Sequence, residues 1–268
     1  MALMWPLYGY PSKSLYQNAA ASVEVALPAT VLLILIETLN TIYRNFKTGH
    51  LMRLIQKILA LASFSLIALC AGASPSNPVE GVEFQRLPQA QPTEAGKKIE
   101  VLEFFWYGCP HCFAFEPALS DWVKKRGDQI VFKRIPVGFR ESFVPQQKLY
   151  FALEALNRFD VHKAYFEALH IGRQRLDKEE LIVDFVEKQG IDRKKFLDVY
   201  TSFSVQSKVS RVRQMQDAYR IDGVPTIVID GQYVTSPSIV GATMRGQSEA
   251  AMNMATLQVM DALIIRKK

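Results

Sequence analysis

Cysteine is scarce in this chain of 268 residues. There are three, and Cys70 lies in an apolar leader, so Cys109 and Cys112 are the only pair left for a folded part. Two cysteines cannot build the multi-bridge framework of a small disulfide-stapled domain. Histidine is also sparse at four residues. His162 and His170 form no cluster with usable ligand spacing, and a zinc site needs about four ligands, so no metal is expected. Net charge is small: 32 basic against 26 acidic side chains give +6, and without residues 1–73 the remainder carries +3. Lys and Arg are scattered rather than gathered on one face, which argues against nucleic acid as a partner. Long apolar runs are missing too. Residues 25–36, interrupted by Pro28, and residues 58–69 both fall short of the roughly 20 residues a membrane-spanning helix needs. What is present is an ordinary globular balance, 49% apolar and 22% charged, with ample material for a core.

From Met52 the chain reads MRLIQKILALASFSLIALCAGAS. Arg53 and Lys57 precede the apolar stretch, and Ala71 and Ala73 form an A-x-A arrangement before Ser74. Those are the three regions of a secretory signal peptide, expected over residues 52–73. Leu69 is bulky where a lipid-attachment signal has a small residue, so Cys70 is not read as a lipidation site. A signal peptide belongs at the start of a protein. Met52 is therefore expected to be the true start, and residues 1–51 an upstream extension outside the native protein; the competing reading makes residues 25–36 a further membrane segment. After Ser74 comes an arm rich in Pro, Gly and Gln, with one short strand expected over residues 82–86.

Residues 99–108, IEVLEFFWYG, are an apolar and aromatic run suited to a buried central strand. The following CPHCFAFEPALSDWVKKRG places Phe115, Leu119, Trp122 and Val123 near one helix face and ends at Gly127. Pro117 is expected to kink that helix after two turns. Cys109 thus stands where a strand turns into a helix, at unpaired N–H groups and the positive end of the peptide dipole, which favour a thiolate. Pro110 suits the first helical position because its missing N–H would have no partner there. Three-residue spacing brings Cys112 within disulfide reach. Cys109 is expected to be the exposed nucleophile and Cys112 the shielded resolving thiol. His111, between them, adds stabilisation when it donates a hydrogen bond or carries charge, and a steadier thiolate makes a stronger oxidant.

Glu103-Phe104-Phe105, Cys109-Pro110-His111-Cys112 and the run from Phe113 to Glu116 resemble the DsbA family of periplasmic thiol oxidases, in the thioredoxin superfamily. The likeness covers residues 97–266. It implies an α/β fold: a thioredoxin-like domain in two halves, residues 74–142 and 205–268, with an inserted α-helical domain over 143–204. Helix faces fit that insertion, with Leu181, Ile182, Phe185 and Val186 on one and Phe196, Val199, Tyr200 and Phe203 on another. Residues 129–139 are expected to form a strand. Val205, Val209, Val212 and Tyr219 mark a helix returning to the sheet, and Met252, Val259, Met260, Leu263 and Ile264 a closing one. Val224-Pro225 in YRIDGVPTIVIDGQYV resembles the superfamily's cis-proline loop, before a strand over 226–230; the resemblance implies that the Val224 backbone pairs with an extended substrate. Glu103 falls at the family's buried acid, a proton relay for Cys112, and Lys133 is matched to its companion lysine. Glu116 is read as an exposed helix carboxylate.

The resemblance further implies a thiol:disulfide interchange protein of the periplasm. Its partners would be unfolded secreted proteins with free thiols and a DsbB-like inner-membrane oxidase linked to quinone. No cofactor is expected beyond the Cys109–Cys112 disulfide. The aromatic group Phe105, Trp106, Tyr107 and Phe113 is expected to shape an apolar surface near the centre, with at least Phe105 buried. Rival readings are a reductase or isomerase of the same fold and a chaperone without redox turnover. The arm before Ile99 is too short for the separate dimerising domain of an isomerase.

Overall fold

The computed structural model describes residues 33, 34, 36–38 and 74–267. The expected signal peptide over 52–73, and all of residues 1–51 except that short helical stretch, lie outside the described residues. Of the chain's two units, Met1–Ala71 and Gly72–Lys268, the second carries the elements below.

Its five-stranded sheet contains β1 (Gln85–Arg86), β2 (Ile99–Phe105), β3 (Ile130–Pro136), β4 (Thr226–Ile229) and β5 (Tyr233–Thr235), in the order β1-β5-β4-β2-β3. All seven residues of β2 are buried, Glu100 and Glu103 among them, as in a strand covered on both faces. It pairs in parallel with β3 and antiparallel with β4. A parallel pair needs a crossover, and helix α1 (Pro110–Arg126) supplies it.

Between β3 and β4 come a 3-10 turn (Glu141–Phe143) and helices α2 (Val144–Ala155), α3 (Phe159–His170), α4 (Glu179–Lys188), α5 (Arg193–Tyr200) and α6 (Phe203–Ala218). Short α7 (Pro237–Gly241) and α8 (Glu249–Ile265) follow β5. The result is an α/β thioredoxin-like fold with a helical insertion.

Side chains alternate along β2 and divide the interior. Ile99 and Val101 pack with Phe115, Leu119 and Trp122 of α1 and with Met260 and Leu263 of α8. Leu102 and Phe104 turn to the other face, into a core shared with Leu149, Tyr165, Phe196 and Val212 of the inserted helices. Fully burying a side chain such as Leu119 or Phe115 contributes roughly 1.5–3 kcal/mol, so both layers hold the central strand strongly.

Several local expectations are corrected. Strand β2 stops at Phe105, because Trp106–Gly108 turn toward α1, and β3 ends at Pro136, which has no N–H to donate. Strand β1 has two residues, the expected segment being otherwise a turn with an isolated bridge between Glu80 and Phe84. Phe203 does not lie on the face of α5. It opens α6 and is 86% exposed, since Ser202 caps that helix by accepting from the Val205 N–H. Leu181 is 38% exposed, and Val183 takes its place on the buried face of α4. Pro117 lies within helix α1, on its exposed side, where the expected kink does not end the helix.

Candidate active site at a strand to helix junction

The chain leaves β2, turns through Trp106, Tyr107 and Gly108, and enters α1 with Cys109 as its N-cap in extended backbone (φ −83°, ψ 117°). Cys109 Sγ accepts from the Cys112 backbone N–H at 3.4 Å, and Pro110 occupies the first turn. A Cβ on Gly108 would come within 2.4 Å of the Trp106 ring, so this close approach needs glycine. Facing the cysteines from before β4 is the Val224–Pro225 bond, which is cis. The Cys109 thiol donates to the Val224 carbonyl at 3.4 Å. The cis-proline loop, His111, Ile239, Glu249 and Met252 line a cavity of about 510 Å³ beside the dithiol.

Cys109 and Cys112 are free thiols here. Cys109 is covered more than a freely exposed nucleophile would be, at 6% exposure, because the Val224 loop lies over it; Cys112 is at 1%. Their acidities diverge. A hydrogen bond from the Cys112 thiol, those from the Cys112 and His111 backbone N–H groups, and the charge of His111 outweigh burial and pull Cys109 down to about 6. Burial first, then hydrogen bonding to Cys109 and its charge, push Cys112 well above the usual thiol value. His111 is exposed, and its Nδ1 lies 2.6 Å from Glu249 Oε1, a hydrogen bond that raises the imidazole pKa.

Beneath the pair, Glu103 is 1% exposed. Burial raises its carboxyl to about 7 against the opposing pull of Arg134. Arg134 Nε donates to Glu103 Oε2 at 2.8 Å, and its Nη2 donates to both Glu116 oxygens at 2.9 and 3.0 Å. The match of Lys133 to Glu103 is therefore corrected. The β2–β3 register sets Glu103 opposite Arg134 and Lys133 opposite Leu102, so the lysine emerges on the other face and pairs with Glu100 at 2.9 Å. Glu116 is also corrected: it is buried. Burial opposes its ionisation, but His162, Arg134 and a hydrogen bond from Ser120 prevail and hold it at about 2.

Two histidines that the sequence analysis weighed only as zinc ligands also border the site. His162 is buried, its Nδ1 2.8 Å from the Tyr107 hydroxyl, and burial lowers its pKa. His170 Nε2 donates to the Tyr107 carbonyl at 2.8 Å while its ring stacks on Phe113. Of the aromatic group, Phe105 and Tyr107 are core, whereas Trp106 is half-buried, stacked on Phe143 at 4.0 Å and donating to Gln146 at 2.7 Å. Among the described residues, no group of three or more His, Cys, Asp or Glu is arranged to hold a metal.

An acidic thiol capping a helix, a buried partner three residues on and a facing cis-proline, all on a thioredoxin-like sheet, define a thiol–disulfide oxidoreductase. Comparison with known proteins narrows the class. The DSBA-like thioredoxin domain family matches residues 129–252. The thiol:disulfide interchange protein DsbA of Burkholderia cepacia is 43% identical over 206 residues, covering 76% of this chain and 92% of that one. That of Bordetella parapertussis is 37% identical over 212 residues, covering 79% and 96%. The crystal structure of Pseudomonas aeruginosa DsbA superposes with a TM-score of 0.63 at 34% identity, covering 70% of this chain and 93% of that one. The chain belongs to the DsbA family.

Proposed function

We propose that this protein is a periplasmic oxidase that donates a Cys109–Cys112 disulfide to newly secreted proteins. The observation that carries the reading is the split in acidity, with Cys109 near 6 and Cys112 far above it. A stabilised thiolate lowers the free energy of the reduced form, so the disulfide is readily reduced and oxidises its partner. Arrival in the periplasm is supported by the signal-peptide pattern over residues 52–73. Among the described residues, no helix is long and apolar enough to cross a membrane. The inserted helical domain is assigned to residues 143–204, between thioredoxin-like halves at 74–142 and 205–268.

A substrate thiolate attacks Cys109 sulfur, forming a mixed disulfide and breaking the bond to Cys112. Cys112 leaves as a basic thiolate that takes up a proton, which a Glu103 carboxyl at about 7 is suited to supply. A second substrate thiolate attacks the mixed disulfide, and Cys109 departs readily because its thiol is acidic. Two substrate thiols become one disulfide, and two electrons remain on the protein as the dithiol. The Val224 backbone, already an acceptor for Cys109, supports pairing with an extended substrate segment. Turnover then requires transfer of those electrons to a DsbB-like inner-membrane oxidase coupled to quinone. No cofactor other than the disulfide takes part.

Equilibration with glutathione tests the direction. Two glutathione thiols become glutathione disulfide as the protein disulfide becomes a dithiol, and a low ratio of reduced to oxidised glutathione is expected to suffice. A disulfide that survives a strongly reducing ratio overturns the oxidase reading.

A further inference from the structure

We propose that Glu249 is a positioning residue of the redox centre, clasping the Nδ1 side of His111 from the first turn of α8 and holding the imidazolium beside the Cys109 thiolate. The inference rests on the thiolate reading of Cys109 given above.

Glu249 is the first residue of α8, whose N-cap Ser248 accepts from the Ala251 N–H at 3.2 Å. A carboxylate in a first turn is favoured by the helix dipole. Its separation of 2.6 Å from Nδ1 is that of a short charge-assisted hydrogen bond. The two residues are 138 positions apart, so only the fold brings them together. Both line the cavity shared with Val224 and Pro225. Their side chains are 68% and 43% exposed, where solvent screening leaves an ion pair little to contribute to holding the fold.

Charges around His111 come from three elements. Cys109 stands at the head of its own helix, Glu249 on α8, and Arg220 with the oppositely charged Asp222 on the loop from α6 to β4. Glu249 and the Cys109 thiolate both favour the imidazolium, and its charge in turn lowers Cys109. Glu249 thus acts on sulfur through the histidine. It extends the pH range over which the thiolate has a cation beside it, and that stabilises the reduced form alone, because a disulfide carries no charge there.

The test compares the full chain with its Glu249→Gln and Glu249→Asp variants. The His111 ring is titrated by NMR in the reduced protein, and the glutathione equilibrium is measured at pH 5.5 and pH 7. In the Gln variant His111 is expected to titrate at lower pH. The glutathione equilibrium shifts toward the disulfide by about two- to fivefold at pH 7, the scale of one exposed charge contact. At pH 5.5, where the imidazole is protonated in either protein, the two coincide. The Asp variant restores most of the parental behaviour. An unchanged His111 titration overturns the proposal, as does a shift of equal size at both pH values, which is what a structural role would give. Failure of the underlying thiolate reading looks different: parental Cys109 would titrate near an ordinary thiol whatever stands at position 249.

Discussion

Replacing Cys109 by Ser abolishes oxidation of a reduced, unfolded test protein, leaving only the rate of uncatalysed exchange. Serine is nearly the same size and keeps the helix cap, so folding is retained, but a hydroxyl cannot form the mixed disulfide that every step passes through. Replacing Cys112 by Ala acts at the opposite end of the cycle. Cys109, more acidic and slightly less covered, still attacks a disulfide already formed in a client, releasing the client's other sulfur as a thiolate and forming the mixed disulfide. No second thiol of the protein is left to expel the client. Mixed disulfides between this variant and its clients are expected to accumulate on non-reducing gels, and identifying the captured proteins gives the substrates. Retention of oxidase activity in Cys109→Ser, or absence of trapped species in Cys112→Ala, contradicts the assigned roles.

The second large effect concerns Arg134. Its guanidinium touches two buried carboxylates, Glu103 and Glu116, and nothing else among the described groups pairs with Glu103. Arg134→Met leaves Glu103 without its cation and Glu116 with only His162 and Ser120, and is expected to destabilise the fold by about 3–5 kcal/mol, measured by urea unfolding near pH 8. The pH dependence has a defined sign. Glu103 is raised to about 7 in the fold from 4.5, so the folded form holds its proton more tightly. Stability from that group is full below about 4.5 and falls as pH rises toward 7. Glu116, held at about 2, contributes stability that is present above 4.5 and fades as pH falls toward 2. Glu103→Gln should therefore flatten the decline between pH 5 and 7 while leaving the acid limb in place. A loss under 1 kcal/mol in Arg134→Met, or an unchanged slope in Glu103→Gln, would show that the network is not the electrostatic unit described.

How much of this was legible in the chain depends on how local each signal is. The dithiol site could be read because a strand, a proline at a first helical position and two cysteines three apart lie within one short string. The cis-proline loop was legible by its resemblance alone. Glu103 could be placed the same way, but its partner could not. Lys133 and Arg134 are adjacent cations that face opposite sides of β3, and only the register against β2 decides which one meets Glu103. Glu116 did leave a signal that was misread. It lies with Cys112, Phe115, Leu119 and Trp122 on the buried stripe of α1, where a carboxylate needs a partner. His162 shares the buried side of α3 with Val161, Tyr165 and Phe166, which marks it as a core histidine but not as the neighbour of Tyr107. The contact of Glu249 with His111 leaves no local trace, because it depends on how α8 docks against α1. Phe203 fitted the periodicity of α5, yet a serine cap one residue earlier outranked that pattern.

Absorbance of thiolate near 240 nm, followed against pH in the reduced protein, reaches the central claim most directly. One sulfur is expected to ionise with a midpoint near 6, and the second to stay protonated well beyond pH 9. A single midpoint near 9 for both sulfurs would contradict it.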